Sequence, residues 1–300
     1  MNTTTVSGGI NMLKSLYSGV SGMKNLQTKM DVISNNIANV NTTSFKTGRV
    51  RFEDMISQTM EQSQENKNSK QSGLGMQVSA VDKIMAGGTL QATGRALDFG
   101  IENGEDSFFT VSSDGTSQDV AYTRDGGMYL NADNQLITTS GYHILGVMLD
   151  TPVVYQGTIP AGLTYDAATN PMEAIAIPKE NNGTNLDSYS ISDTGLILGV
   201  YNDEIMVMGQ ISLTKFNNAT GLDKMGGNMY KETMNSGQPN VGAAGQEGFG
   251  SVRSGFLEMS NVDLSNEFTE MIVTQRAYQA NSRSISTSDQ MLEELLALKR

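Results

Sequence analysis

Apolar residues recur at steps of three or four near both ends of the chain and at steps of two between them. Near the N-terminus the spaced positions are Leu16, Val20, Met23, Leu26, Met30, Ile33, Ile37 and Val40. Near the C-terminus Leu264, Phe268, Met271, Gln275, Tyr278, Ser282, Ile285, Asp289, Leu292 and Leu296 alternate steps of four and three. Each set predicts a helix with a narrow stripe along one side, the spacing of a coiled-coil seam. A helix cannot bury its own stripe. The chain is therefore expected to go out and come back, its ends pairing with each other, with other copies, or with both.

From about residue 72 the period becomes two. Leu97 to Ile101, Phe108 to Val111, Met128 to Leu130, Leu136-Ile137 and Tyr142 to Leu149 read as short strands between Gly, Asp and Asn turns. Strands resume at Tyr189 to Ile191, Leu196 to Tyr201 and Ile205 to Phe216. Tyr129 to Ile137 and Tyr189 to Ile197 look like one hairpin used twice, and Asp114-Gly115 and Asp125-Gly126 read as hairpin turns. Arg51 to Met60 fits one more short helix, whereas Glu61 to Gln71 is polar and reads as a linker or exposed loop. Thr151 to Lys179 holds four of the five prolines and reads as a surface excursion. Gly226 to Gly255 is glycine-rich and predicts an extended return, after which Ser260 to Asp263 resembles a capping box that opens the last helix.

The expected fold class is α+β, with N- and C-terminal helices forming a coiled-coil-like axial domain around a β-rich middle domain. The boundaries follow from the pattern. Residues 1–11 are an extra, disordered extension; 12–44 and 256–300 form the discontinuous helical domain; 45–71 and 226–255 connect; 72–225 form the β-rich outer domain. Residues 1–11 (MNTTTVSGGIN) lack helical periodicity, which makes Met12 a candidate native start.

Charge supports pairing of the ends. Residues 13–52 carry six bases (Lys14, Lys24, Lys29, Lys46, Arg49, Arg51) against Asp31, and residues 258–300 carry seven acids against four bases. Opposite charge favours association of the two arms over self-pairing of either. The net charge of −12 argues against nucleic acid as a partner. No run of about 18 apolar residues exists to insert in a membrane, and the first residues lack the basic and apolar regions of a signal peptide. Zero cysteines exclude disulfides and thiolate chemistry.

Catalytic, metal and cofactor chemistry find no residues to carry them. His143 is the only histidine and sits in an alternating run, so it is a strand residue rather than part of a zinc site or triad. No acid pair is spaced for glycoside hydrolysis, and neither a P-loop nor a dinucleotide fingerprint occurs. A monomeric adhesin or carbohydrate-binding module would explain the short strands but not the two seam-forming arms.

Three segments in order resemble one family. Ser15 to Met23 with Met30 to Thr42, then Ala96 to Ile101 with Phe108-Phe109 and Tyr122 to Gly126, then Gly255 to Leu264 with Gln275 to Asn281, are similar to the signatures of the bacterial flagellar axial proteins, the rod and hook subunits. Within that family the chain looks most like the short hook proteins of Gram-positive bacteria, with the distal rod protein second. The resemblance implies a self-assembling curved tube that transmits torque from rod to filament, as a hook or as part of the basal body. It implies export through the flagellar type III channel without a cleaved signal peptide. The implied partners are other copies in a helical homopolymer, flagellar rod and hook-filament junction proteins, the hook cap during assembly and the export apparatus. The subunit-packing residues would be the apolar members of both stripes, Leu16 to Val40 and Leu264, Phe268, Met271, Tyr278, Ile285, Leu292 and Leu296. Nineteen methionines suit interfaces that repack.

Overall fold

The computed structural model describes residues 3–61, 70–155, 157, 160, 163, 171–181 and 184–297. The chain forms two compact units. One comprises residues 1–40, 47–84 and 262–300, the other 41–46 and 85–261. Both are discontinuous in sequence.

The first unit holds helix α1 (Thr3–Ala38) and helix α2 (Leu264–Ala297). α1 begins at Thr3, so residues 3–11, expected outside the helix, form its first turns. The cap of α2 also differs from expectation. The Asp263 carboxylate accepts from the backbone N–H of Ser265 at 2.9 Å and of Asn266 at 3.4 Å, so Asp263 is the N-cap itself and not the closing residue of a capping box begun at Ser260.

Strands complete this unit. Gly48–Asp54 pairs antiparallel with Met76–Lys83, from Gly48 opposite Lys83 to Asp54 opposite Met76, and Gln58–Glu61 pairs with Lys70–Ser72. The helix expected at Arg51 to Met60 is thus strand, because Val50 and Phe52 alternate with the exposed Arg49 and Arg51, a period of two. Most of the Glu61–Gln71 linker lies outside the described residues.

In the second unit a thirteen-stranded sheet dominates. Its central path runs Thr184–Ile191, Leu196–Tyr201, Glu204–Lys215, His143–Val154, Ser107–Ser112, Val120–Thr123, Met229–Lys231. The two similar hairpins close alike: Asn131 N–H donates to Gln135 O at 3.0 Å in one and Ser192 N–H to Leu196 O at 3.0 Å in the other, with Asn134 at φ 58° and Gly195 at φ 73°. Gly115 lies in a hairpin loop at φ 70°, as Asp114-Gly115 suggests. Gly126 is different, since a Cβ there would lie 1.7 Å from Phe99 O, so it allows close packing instead of turning a hairpin.

Phe99, Phe109, Val111, Ile144, Ile211 and Leu213 form the main core, all at most 0% exposed. Phe108, Tyr122, Phe216 and Tyr230 stack edge to face beside it, with ring centroids 4.7–6.1 Å apart. The Thr151–Lys179 segment is not simply a surface excursion: Leu163, Met172, Ile175 and Ile177 are buried, and Ile175 belongs to the main core.

The expected fold class needs correction. The molecule is mostly β-sheet, 40% strand against 24% helix, with a large sheet and two α-helices among the described residues. It is not a pair of coiled-coil termini around a β middle. The reason is local: α1 also packs on the Gly48–Asp54 and Met76–Lys83 strands, and a would-be Cβ on Gly48 lies 3.3 Å from the Val32 side chain. Gly48–Asp54, expected as connector, and Met76–Lys83, expected in the outer domain, supply part of the surface that covers the helix.

Candidate assembly surface

Within the first unit α1 and α2 run antiparallel, as four meeting points show. Gly19 lies against Ile285, Gly22 against Asn281, Lys29 Nζ is 2.7 Å from Glu270 Oε2, and Asn36 Nδ2 donates to Glu267 Oε1 at 3.2 Å. The side of α1 that packs inward is Gly22, Leu26, Ile33 and Asn36, all buried. Extended by the half-buried Gly19 and Lys29, this line keeps steps of three and four throughout. On α2 the least exposed residues are Glu267, Met271, Thr274, Ala277, Asn281, Ile285, Ser288 and Leu292, again at steps of three and four.

Small and polar residues thus share the inner line with a few aliphatic ones. Their polar groups are satisfied on the spot. Thr274 Oγ1 donates to Glu270 O at 2.7 Å and Ser288 Oγ to Ser284 O at 2.9 Å, inside the helix. Asn36 donates to Gly48 O at 2.9 Å and accepts from Gly48 N–H at 3.0 Å, tying α1 to the first strand. At Gly22 a Cβ would come within 2.7 Å of Asn281 Nδ2, so glycine permits this approach of the helices.

The candidate packing residues are distributed over two faces. Leu26 and Ile33 are buried in the unit. Leu16, Met23, Met30, Ile37, Val40, Met271, Ile285 and Leu292 are half-buried. Val20, Leu264, Phe268, Tyr278 and Leu296 are exposed, Phe268 at 50% and Leu296 at 67%. Tyr17, Ile272, Val273 and Met291 join them outside. Sequence reasoning missed Gly22 and Asn36 because it followed apolar residues on α1, and missed Thr274 and Ser288 because its stripe on α2 ran one residue later, through the exposed Gln275 and Asp289. The unbroken three-four spacing of the inner lines was the available signal.

The rim is charged. Lys29, Arg49, Glu267 and Glu270 surround a recess floored by Val32, Ile33, Val50 and Ile84. Burial pushes the Glu267 carboxyl up from its ordinary range, against the hydrogen bond from Asn36, which pulls it down. No helix among the described residues is long and apolar enough to cross a membrane, and no group of three or more His, Cys, Asp or Glu among them could hold a metal ion.

The second unit contains a buried ionic cluster that sequence reasoning also missed. Glu258 receives Lys46 Nζ on Oε1 at 2.6 Å and Arg124 Nε on Oε2 at 2.9 Å, and all three side chains are at most 1% exposed. Gly88 N–H donates to Oε1 at 2.8 Å as well. Burial, followed by the neighbouring Arg124 charge, holds the Lys46 ammonium below its ordinary pKa. Nearby, burial drives the Tyr230 hydroxyl up to about 12.

Comparison with known proteins bears on both surfaces. Residues 16–46 match the family described as flagella basal body rod protein, residues 103–199 the flagellar hook protein FlgE/F/G D1 domain, and residues 253–298 the flagellar basal body rod FlgEFG protein C-terminal region. The chain is 44% identical to the flagellar basal-body rod protein FlgG of Bacillus subtilis, over 96% of this chain and 100% of that one. The chain belongs to the flagellar rod and hook protein family. Two further relatives come from Borreliella burgdorferi: its flagellar basal-body rod protein FlgG, 36% identical, and its flagellar hook protein FlgE, 30% identical, each over 96% of this chain and 100% of the relative. The three matched family segments each contribute one member of the buried cluster, Lys46, Arg124 and Glu258 in turn.

Proposed function

We propose that the protein is a structural, non-enzymatic subunit of the distal rod of the flagellar basal body, which builds a tube from copies of itself. The hook reading is thereby set aside. The observation that carries the choice is length. Alignments to rod relatives span 297 and 300 positions, close to the 300 residues here, whereas those to two hook relatives span 446 and 463. A hook subunit of that kind carries inserted chain that this protein lacks.

The outward apolar residues of α1 and α2 support the assembly part of the reading. In a single chain Tyr17, Val20, Phe268, Ile272 and Leu296 face water, an arrangement that marks interaction surfaces. In a tube they would be covered by α1 and α2 of neighbouring copies, and adjoining rod and hook subunits would cap its ends. The chain would reach this place through the flagellar export apparatus, without binding nucleic acid or inserting in a membrane.

Electron microscopy of basal bodies from a strain lacking the gene tests the reading. The expected image is a shortened rod with no hook. A complete rod lacking only the hook would restore the hook assignment.

A further inference from the structure

Lys46 and Glu258 meet although 212 residues separate them in sequence. Lys46 ends a six-residue strap, Asn41–Lys46, which belongs to the second unit while the chain on either side of it belongs to the first. The strap's hydrogen bonds run to widely separated parts of that unit. Ser44 N–H donates to Glu258 O at 2.8 Å, Ser44 Oγ to Arg124 O at 2.7 Å, Lys46 Nζ to Ala86 O at 2.8 Å, and Asn228 Nδ2 to Thr43 O at 2.8 Å. The Lys224 ammonium lies 4.7 Å from the centre of the Phe45 ring. Ser44 sits at φ 55°, a left-handed conformation that persists only where its surroundings enforce it.

Charge dictates when this strap can close. The closed cluster holds two cations and one carboxylate, each at most 1% exposed. Take away Glu258 and two like charges remain in one buried site, an arrangement far costlier than a satisfied ion pair. Lys46 and Arg124 precede Glu258 in sequence, so a chain emerging N-terminus first holds both cations before it holds their counter-ion.

We propose that Glu258 is the bolt of a folding latch: the strap 41–46 docks into the second unit only once the strand Phe256–Glu258 is in place. The chain then stays open around Lys46 until its C-terminal segment is available. The latch rests on the cluster alone and holds equally for a rod or a hook subunit.

Hydrogen exchange on the full-length protein tests it. Glu258→Gln raises the buried net charge by one, and exchange across residues 41–46 should accelerate on the order of 100-fold while the Ser107–Ser112 and Glu204–Lys215 strands keep their protection. Adding Lys46→Met to Glu258→Gln restores the original net charge and should recover most of the strap's protection. Strap exchange unchanged in Glu258→Gln, or a double variant as open as the single one, overturns the proposal. Pulse labelling of the refolding wild-type chain supplies an independent check should the single variant fail to fold. Strap amides should gain protection together with residues 256–258; protection of the strap ahead of them overturns the order.

Discussion

Phe268→Asp separates assembly from folding. The ring sits near the start of α2 and is 50% exposed in the single chain. A phenylalanine can bury roughly 200 Å², so about 100 Å² of ring remains to be covered by a neighbour. At about 25 cal/mol per Å² that covering is worth about 2.5 kcal/mol per subunit. Since 1.4 kcal/mol is a tenfold change, losing it alone should raise the critical concentration for polymerisation roughly 60-fold. The introduced carboxylate must also be desolvated in the tube, which adds several kcal/mol more. The monomer loses only the half of the ring it already covers, on the order of 2 kcal/mol by the same bookkeeping, so its melt should shift down while the fold persists. The assay is sedimentation of polymer over a range of protein concentrations, alongside a thermal melt of the monomer by circular dichroism. Polymer forming at the wild-type critical concentration would refute the outward-face reasoning.

Three other outcomes follow from the first unit. Ile33→Ala, at a side chain only 4% exposed beside an open recess, should cost about 2 kcal/mol in urea unfolding followed by helical signal, the low end for such a truncation because the recess wall can relax. Asp263→Ala removes the side-chain cap of α2 and should cost about 1 kcal/mol, seen as faster exchange of the Ser265 and Asn266 amides. Glu267 binds its proton more tightly folded than unfolded, so its contribution to stability falls as pH rises from the ordinary carboxyl value through its raised folded value. Glu267→Gln should abolish that part of the pH dependence in denaturation curves recorded between acid and neutral pH; an unchanged slope would count against burial as the dominant influence on this carboxyl.

The strands were legible as short apolar runs between turn residues. Ser107–Ser112 is buried at every position and Leu196–Tyr201 has no exposed residue, so length and flanking Asp, Asn and Gly turns marked them more than alternation did. The Arg51–Met60 segment was misread because Val50 and Phe52 are too few to distinguish period two from three or four without the partner strand Met76–Lys83. The two helices were legible as elements, but their inward line was not, since Thr274 and Ser288 reveal their burial only through hydrogen bonds to their own helix. The Lys46, Arg124 and Glu258 cluster was illegible for a different reason. Each residue reads as an ordinary surface charge, and only the long-range topology brings Lys46 and Arg124 within 3 Å of the Glu258 carboxylate. The choice between rod and hook depends on inserted length, which no motif within the shared segments carries.

The division of labour between the two faces of the helix pair has a physical consequence for assembly. Had Phe268, Ile272 and Leu296 formed the inner seam, their burial would already be complete in the single chain, and polymerisation would have little apolar area left to gain. Instead the inner line uses Gly22, Asn36, Thr274 and Ser288 with Leu26 and Ile33, enough to set register but poor in apolar contact. Polar ties such as Asn36 to Glu267 fix which residues face each other, at modest net stability per hydrogen bond. The larger hydrophobic term is left on the outside. On the proposed reading, the pair is therefore registered within one chain and driven to completion between chains. That ordering predicts that outward substitutions such as Phe268→Asp act more strongly on polymer than on monomer, and inward ones such as Ile33→Ala act first on the monomer.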